Sequence, residues 1–302
     1  MAHNIGMRLL ITTQAVDQND PILGFFVRWI EEFAKHCGQV TVICLRKGEH
    51  HLPPNVRVLA LGDSGKLSRA YKLLEGAYKF RGDYDAVFVH MNPEYLVAAG
   101  WLWRLLGKRT ALWYTHKSVN LKLRIAALFA NTILTASKES FRLASSKVRV
   151  MGHGIDTDFF SPGPIPRGSH WLSVGRLTAS KRHDLAIRDA HAAGKELWIA
   201  GEGPERKRLE ALSQELGASV LFLGGLMQAR LRDEYRKAAL LVHRSETGSL
   251  DKVVLEALAC GCPVRTNDAA LKFMESMGPE YVRQNHSLPT LIPRILEELR
   301  HD

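Results

Sequence analysis

Short apolar runs alternate with helix-length segments along the whole chain, and this alternation limits the possible folds more than any other feature. The runs in the first half are almost continuously apolar and rich in β-branched residues. Such runs are typical of parallel strands that are covered by helices on both faces of a sheet. Seven strands are therefore predicted in this half, at residues 8–13, 40–45, 56–61, 86–90, 110–114, 132–136 and 148–151.

The same alternation resumes after a break at residues 161–168, where three prolines and two glycines predict a linker. Five more strands are predicted beyond it, at 171–174, 196–200, 220–223, 240–243 and 263–266. A chain of 302 residues suits two domains. We predict an α/β fold with a Rossmann-like domain at 1–160 and another at 169–302. Their two doubly wound parallel sheets would face each other across a cleft, with ligands at the carboxyl ends of the strands.

Composition excludes several classes of protein. With 46% hydrophobic residues, the chain is too apolar for a disordered, collagen-like or disulfide-scaffold protein. Its four cysteines form no Cys-x-x-Cys pair, and no apolar stretch reaches the ~18 residues of a membrane span. These features predict a reduced, cytoplasmic protein.

Several familiar site motifs are incomplete. Residues 62–68 lack the spacing of a phosphate-binding P-loop, and no Gly-x-Gly-x-x-Gly, His-Glu-x-x-His or Gly-x-Ser-x-Gly motif occurs. Asp156 and Asp158 could hold a diphosphate through Mg²⁺, but a turn with an acidic cap is the favoured interpretation. No metal site is predicted.

Two strand ends in the second half carry polar residues that suit an anion. After the run at 171–174 come Gly175, Arg176 and, five residues further on, Lys181 before a helix. Backbone amides at a helix start, together with two cations, suit a phosphate group. The alternative is a pair of solvated basic residues on an ordinary loop.

The second strand end is followed by a Gly-Ser turn at 248–249 and then by an apolar helix that contains Glu256. Free amides in such a turn suit phosphate or sugar hydroxyls. A carboxylate among apolar residues is costly unless it is hydrogen bonded. A ribose diol or a buried structural partner could each satisfy Glu256.

Four segments together resemble the sugar-nucleotide domain of retaining glycosyltransferases, family 4 of the GT-B fold. They are Gly-His-Gly-Ile-Asp at 152–156, Val-Gly-Arg-Leu and Lys at 174–181, Ala-Gly-Glu-Gly-Pro-Glu at 200–205, and Leu-Glu-Ala-Leu-Ala-Cys-Gly at 255–261. Their order and spacing match the family from about residue 150 to residue 266. The first half agrees more loosely.

The resemblance implies a set of site residues. As catalytic residues it implies Arg176 and Lys181 on the donor phosphates and His116 as the active-site histidine. As substrate-binding residues it implies Glu256 for the ribose and Gly24 as the first-domain glycine that approaches the diphosphate. The expected contacts to the base and the sugar are Gly225, Leu226, Gly248, Ser249, Leu250 and Asp251. Family members need no metal and no cofactor besides the nucleotide-sugar donor, expected here as a UDP- or GDP-sugar.

The sequence departs from the family at two places. The first glutamate of the family's Glu-x₇-Glu motif falls on Gly248, and either Glu246 or Asp251 could replace it. Family members commonly end in a helix that crosses back onto the first domain. The sequence ends at Asp302 after a helix-like stretch at 288–299, and we expect that returning helix to be absent.

The net charge of +10 lies entirely in residues 1–150, which the family uses for the acceptor. Basic residues accompany a stripe formed by Leu67, Tyr71, Leu74 and Tyr78. The stripe could pack on the sheet, or it could form a peripheral surface on the inner face of the membrane that meets a lipid-linked or anionic acceptor. The acceptor itself stays open.

We therefore expect an enzyme that transfers a sugar from a nucleotide sugar to an acceptor hydroxyl with retention of configuration. A non-catalytic subunit that binds nucleotide sugars is the alternative, prompted by Gly248. An epimerase of the same fold is disfavoured by the turn that precedes Glu256. Nucleic-acid binding is also disfavoured, because aromatic residues do not interleave with the basic ones.

Overall fold

The computed structural model describes residues 6–20, 22–246 and 250–300, and within them the chain forms two compact units. The first unit comprises Met1–Gly154 together with Leu288–Asp302, and the second comprises Ile155–Ser287. Ile155 and Ser287, the two ends of the second unit, pair in an isolated parallel bridge. None of the helices in the described ranges combines the length and the hydropathy that a membrane-spanning segment requires.

The first unit is built on seven parallel strands, all of which the sequence predicted. The strands are β1 Arg8–Val16, β2 Gln39–Lys47, β3 Val56–Ala60, β4 Ala86–His90, β5 Arg109–Trp113, β6 Thr132–Thr135 and β7 Val148–Val150. Their order in the sheet is β3-β2-β1-β4-β5-β6-β7. The strand order therefore reverses between the neighbouring strands β1 and β4: β2 and β3 lie beyond β1 on one side, and β5, β6 and β7 lie beyond β4 on the other.

Helices cover both faces of this sheet. Four of them follow β1, β3, β4 and β5, respectively: α1 Phe25–His36, α2 Lys66–Lys79, α3 Glu94–Leu105 and α4 Leu121–Phe129. One core lies under α1 and contains Phe26, Ile30 and Phe33. The other lies under α2, α3 and α4 and contains Leu73 and Trp103. Because both faces are covered, the strands are apolar throughout, as expected for a parallel sheet.

The second unit repeats this plan on a smaller scale. Its strands are β8 Trp171–Val174, β9 Leu197–Ala200, β10 Val220–Gly224, β11 Leu240–His243 and β12 Val264–Thr266. All neighbouring strands are parallel, in the order β10-β9-β8-β11-β12. The helices are α5 His183–Ala192, α6 Arg206–Leu216, α7 Gln228–Lys237, α8 Lys252–Ala259 and α9 Pro279–His286. The sequence analysis did not predict α9, although proline at its first turn is a common helix start.

The last helix, α10 Leu288–Arg300, corrects the predicted domain boundary. Its buried aliphatic residues, among them Leu291, Ile292 and Ile295, join the core under α1 in the first unit. Each buries a side chain worth about 2 kcal/mol. The expectation that a returning helix would be absent is therefore wrong. A strong apolar face shows that a helix buries one side, but not which sheet it covers.

Residues 161–168 do not form a free linker. Arg167 donates hydrogen bonds to the carbonyls of Ala238 (2.7 Å) and Gly261 (2.8 Å). Arg236 donates to the carbonyl of Ser161 (2.8 Å). These side-chain hydrogen bonds hold the segment along the second unit.

Three of the four residues in the apolar stripe of α2 face outward, whereas Leu74 is half-buried against the core. Leu67 is 89% exposed, Tyr71 69% and Tyr78 54%, whereas Leu73 and Ala77 are buried against the sheet. The alternative in which the whole stripe packs on the sheet is therefore wrong. The exposed residues and the buried pair Leu73 and Ala77 both recur at helical spacing, and the buried pair, which has the smaller side chains, contacts the sheet.

Candidate donor site

The loops after β8, β9, β10 and β11 meet at the carboxyl edge of the second sheet because these strands are parallel. The sheet order runs in opposite directions from β8 and β11, so the loops after these two strands flank its topological switch point. Open α/β sheets bind ligands at this position. The predicted phosphate residues follow β8, and the predicted sugar-binding turn follows β11.

Glycines allow two of these loops to touch. A Cβ atom on Gly201 would lie 1.9 Å from the carbonyl oxygen of Gly175, and one on Gly203 would lie 2.3 Å from the carbonyl oxygen of Leu177. Gly201 also has φ of +149°, which side chains rarely adopt. The Ala-Gly-Glu-Gly segment therefore supports the loop that carries Arg176.

The predicted phosphate ligand Lys181 has a protein partner. It lies at the end of a short 3₁₀ helix, Ala179–Lys181. Its Nζ donates to Asp251 Oδ2 at 2.6 Å and, over 3.4 Å, to Ser245 Oγ. His243 Nε2 lies 2.8 Å from the same Asp251 oxygen, and its Nδ1 lies 3.3 Å from Thr266 Oγ1. The side chain of His243 thus connects Asp251 to the end of β12.

Asp251 is an ionised carboxylate in this arrangement. Burial alone would raise its pKa, but the hydrogen bonds and charges of His243 and Lys181 outweigh burial and hold the pKa well below its usual value. The carboxylate therefore neutralises the Lys181 ammonium across the switch point.

Arg176 differs from Lys181. It is exposed, and in the part of the chain that the structure describes its guanidinium makes no hydrogen bond or ion pair. An uncompensated guanidinium at a strand end can bind a phosphate with two parallel hydrogen bonds.

A strained turn follows Lys181. Arg182 has φ of +50°, a left-handed conformation that is uncommon for a residue with a side chain. Its guanidinium is held by Asp184 at 3.1 Å and by Glu246. Of the two acidic residues proposed to replace the missing glutamate, Glu246 is exposed and pairs with Arg182, whereas Asp251 is half-buried and pairs with Lys181.

His183 lies behind the Arg176 loop. Its Nδ1 is 2.9 Å from Ser173 Oγ, and a Cβ atom on Gly175 would lie 3.7 Å from its Nε2. Burial is the main reason why its pKa falls to about 4, although backbone of Arg176 opposes the shift. A neutral imidazole therefore supports the loop at neutral pH.

The predicted ribose ligand Glu256 is 4% exposed. Tyr235 donates its hydroxyl to Glu256 Oε2 over 3.2 Å, and Lys252 Nζ lies 3.2 Å from Oε1. Both carboxylate oxygens therefore have protein partners, which matches the structural alternative. A ribose diol would have to share these oxygens.

The remaining predicted donor residues lie on the same loops. Gly225 is exposed and Leu226 is half-buried after β10, while Leu250 is half-buried just before α8. Gly248 and Ser249 lie outside the described residues.

Two predicted residues belong to the first unit. His116 is exposed on the loop after β5, and its Nδ1 accepts the backbone amide of Ser118 (3.1 Å), which places the proton of the neutral ring on Nε2. Gly24 is buried at the start of α1, where a Cβ atom would lie 2.7 Å from the Asp20 carbonyl oxygen. This loop therefore requires a glycine for its own packing.

The turn at 156–159 agrees with the acidic-cap interpretation. Asp156 Oδ1 accepts the backbone amides of Asp158 (3.2 Å) and Phe159 (3.0 Å). Within the described ranges, no three His, Cys, Asp or Glu side chains cluster as metal ligands.

Sequence reasoning gave no role to His243 or His183. The signal for His243 was its place at the end of an apolar strand, where parallel sheets carry their functional side chains. Its contact with Asp251, eight residues away, depends on how the turn between them folds.

Comparison with known protein families identifies one region of the chain. Residues 155–283 match the family described as "Glycosyl transferases group 1". This region is a group 1 glycosyltransferase domain. It contains Arg176, Lys181, Asp251 and Glu256.

Curated relatives of the group 1 domain are glycosyltransferases by name. The chain is 33% identical over 138 residues to D-inositol 3-phosphate glycosyltransferase of Mycolicibacterium smegmatis, covering 39% of the chain and 32% of the relative. It is 25% identical over 186 residues to sulfoquinovosyl transferase SQD2 of Arabidopsis thaliana, covering 57% and 35%. The chain thus spans about a third of the length of these relatives.

Solved structures extend the likeness to the whole fold. Alr3699/HepE of Anabaena, determined with UDP and glucose, has a TM-score of 0.71 at 17% identity and covers 97% of this chain and 99% of its own. The two parallel sheets, with seven and five strands, are those of the GT-B fold.

Proposed function

We propose that the chain transfers a sugar from a nucleotide diphosphate sugar to an acceptor hydroxyl with retention of configuration. The observation that carries the proposal is the group 1 match over the loops that hold Arg176 and Lys181. One relative is named as a GDP-mannose-dependent mannosyltransferase, and one similar structure contains UDP, so a UDP-sugar or a GDP-sugar is the donor that we propose.

The proposed mechanism relies on charge stabilisation. Negative charge would grow on the leaving phosphate as the anomeric bond breaks, and Arg176 would stabilise it more in the transition state than in the ground state. Lys181 would contribute once the phosphate shares it with Asp251. The acceptor hydroxyl would attack from the face that the phosphate leaves, with a phosphate oxygen as the base.

No metal is required by this proposal, since fixed cations supply the positive charge. Four unpaired, buried cysteines support the predicted reducing, cytoplasmic compartment. His116 is proposed as the active-site histidine, with its Nε2 proton available to a substrate oxygen.

The test is release of nucleoside diphosphate from UDP-glucose, UDP-galactose and GDP-mannose in the presence of polyol and lipid acceptors. The Arg176→Ala/Lys181→Ala variant should lose transfer while it keeps its fold. The control Arg188→Ala/Lys195→Ala removes two cations elsewhere in the second unit and should stay active. Full activity in the first variant would refute the assignment.

A non-catalytic subunit that binds nucleotide sugars is the second candidate. It is favoured by the ion pair between Lys181 and Asp251, which reduces the positive charge available to a leaving phosphate. Binding of UDP or GDP without turnover on any tested acceptor would support this candidate instead.

We also propose that the outer face of α2, α3 and α4 contacts an anionic membrane. Exposed apolar residues are unusually frequent there: Leu67, Tyr71, Tyr78, Trp101, Leu105, Leu121 and Leu128. Exposed cations accompany them, including Lys79, Arg104 and Arg124. Apolar insertion combined with positive charge is the pattern that binds proteins to anionic lipid surfaces.

A further inference from the structure

The imidazole of His243 is buried at the end of β11, beside the ion pair of Lys181 and Asp251. Both ring nitrogens have polar neighbours: Nε2 lies 2.8 Å from Asp251 Oδ2, and Nδ1 lies 3.3 Å from Thr266 Oγ1. His243 and Thr266 are also partners in the register of β11 and β12. The ring is therefore fixed between the end of the sheet and the Asp251 carboxylate, and it acts on a ligand only through that carboxylate.

The direction of the hydrogen bond to Asp251 follows from its charge. An ionised carboxylate has no hydrogen to donate, so His243 Nε2 carries the proton and donates it to Oδ2. Thr266 Oγ1 accepts the backbone amide of Asp268 at 3.1 Å, and the hydrogen of its hydroxyl is available to Nδ1. A neutral imidazole therefore satisfies both contacts.

Asp251 does not make the contact that its place in the chain favours. It is the N-cap of α8, where an aspartate commonly accepts a backbone amide of the first helical turn, but its side chain makes no such hydrogen bond. Oδ2 instead accepts both Lys181 Nζ at 2.6 Å and His243 Nε2 at 2.8 Å. Burial raises the pKa of Asp251, and the hydrogen bond from His243 is the largest of the interactions that lower it again. His243 thus keeps the carboxylate ionised and directed at Lys181 rather than at the helix.

The charge of Lys181 is balanced, but its ammonium is not saturated with acceptors. Of its three hydrogens, the described residues accept two, one at Asp251 and one, over 3.4 Å, at Ser245 Oγ. A third hydrogen can therefore reach a phosphate oxygen, although Asp251 already neutralises the positive charge. An anion that binds here gains less from Lys181 than it would gain from an ammonium without a carboxylate.

Strong phosphate binding has a disadvantage for an enzyme whose product is a nucleoside diphosphate. Cations that stabilise the leaving phosphate also retain it after the transfer, and product release limits the turnover of many enzymes. A carboxylate that already contacts one of these cations competes with the product. Because Asp251 belongs to the same chain as Lys181, its effective concentration at the ammonium is high.

We propose that Asp251 is a resident counter-anion for Lys181 that speeds release of the nucleoside diphosphate, and that His243 is the positioning residue that holds Asp251 in this role. The inference rests on the proposed transferase function for the identity of the product. Negative charge on the leaving phosphate would draw Lys181 away from Asp251 during the transfer. The carboxylate would take Lys181 back as the product departs.

The experiment measures the dissociation rates of UDP and GDP from the full chain by stopped-flow competition, and their dissociation constants by calorimetry. In His243→Leu, the nucleotide that the wild type binds should dissociate about fivefold more slowly and bind correspondingly more tightly, because Asp251 loses one hydrogen bond and competes less well for Lys181. His243→Gln keeps a distal amide hydrogen that can reach Asp251, and it should restore the wild-type rate.

A double variant distinguishes positioning from a purely structural role. If His243 acts through the carboxylate, His243→Leu/Asp251→Asn should release nucleotide no more slowly than Asp251→Asn alone, because the effects of coupled residues do not add. The matched control is His170→Leu, which replaces another buried imidazole next to the amino end of β8, at the opposite edge of the sheet. It should release nucleotide at the wild-type rate.

Three results would overturn the proposal: unchanged or faster release from His243→Leu, an effect of His243→Leu that persists in the Asp251→Asn background, or equal slowing in His170→Leu. Each of them requires a wild type that binds UDP or GDP, so the donor assignment would stand. A wild type that binds neither nucleotide would contradict the donor assignment itself, and this proposal with it.

Discussion

The Lys181 ammonium and the Asp251 carboxylate lie 2.6 Å apart, Nζ to Oδ2, at the switch point of the second sheet. His243 Nε2 shares the same oxygen at 2.8 Å. A cation expected to hold the donor phosphate is therefore already neutralised by the protein, while the nearby Arg176 is not. Under the proposed function, the donor phosphate either competes with Asp251 for Lys181 or binds a lysine that Asp251 holds in position.

Substitution of Asp251 separates these two roles. Asp251→Asn removes the negative charge, so we expect UDP or GDP to bind several-fold more tightly, as measured by calorimetry. The melting temperature should fall, because a broken buried ion pair costs about 3 kcal/mol. Glu246→Gln, which removes an exposed carboxylate on the same loop, is the control. Weaker nucleotide binding in Asp251→Asn would instead indicate that the carboxylate positions Lys181.

Much of the fold could be predicted from the sequence. Apolar runs located all the strands because parallel strands covered on both faces keep a local signature, as in β4. The assignment of α10 failed because its apolar face fits either sheet. Only the packing of residues such as Ile292 among side chains of α1 decides between them.

The site was less predictable for a similar reason. Lys181 and Asp251 are 70 positions apart, and their contact is a property of the folded sheet edge. A cavity of about 450 Å³ in the first unit likewise draws Gln14, Lys66 and Lys122 from three distant segments. No single segment carries a motif for it.

The buried His183 predicts a pH dependence of stability. Its folded-state pKa, lowered by burial from 6.5 to about 4, means that the unfolded chain binds a proton first as the pH falls. Its contribution is complete above pH 6.5 and is lost progressively towards pH 4, by up to about 3 kcal/mol. Melting temperatures between pH 7 and pH 4.5 should fall less steeply in His183→Gln. His116→Gln, at an exposed histidine, should behave like the wild type; identical slopes in all three proteins would contradict the assignment.

The close packing at Gly201 predicts that no side chain fits between the two loops that meet there. Gly201→Ala would place a methyl group 1.9 Å from the Gly175 carbonyl oxygen at φ of +149°, which should destabilise the second unit by about 3 kcal/mol or more. The control Gly225→Ala places its methyl group in ordinary contact, 3.7 Å from Glu202 Cγ, and should melt close to the wild type. Thermal denaturation monitored by fluorescence would distinguish them, and equal melting temperatures would refute the close approach of the two loops.

The outward stripe of α2 gives the last prediction. Leu67→Ser/Tyr71→Ser should reduce sedimentation with anionic vesicles severalfold, because each apolar group that enters a membrane contributes roughly 1 kcal/mol or more. Both side chains are largely exposed, so the melting temperature should hardly change. Ile22→Ser, at a residue that is 79% exposed in the loop before α1, is the matched control and should still sediment. Since UDP binds in the second unit under the proposed function, nucleotide affinity should stay constant throughout. Unchanged sedimentation of the double variant would show that this face does not insert into lipid, and the exposed stripe would then need a protein partner instead.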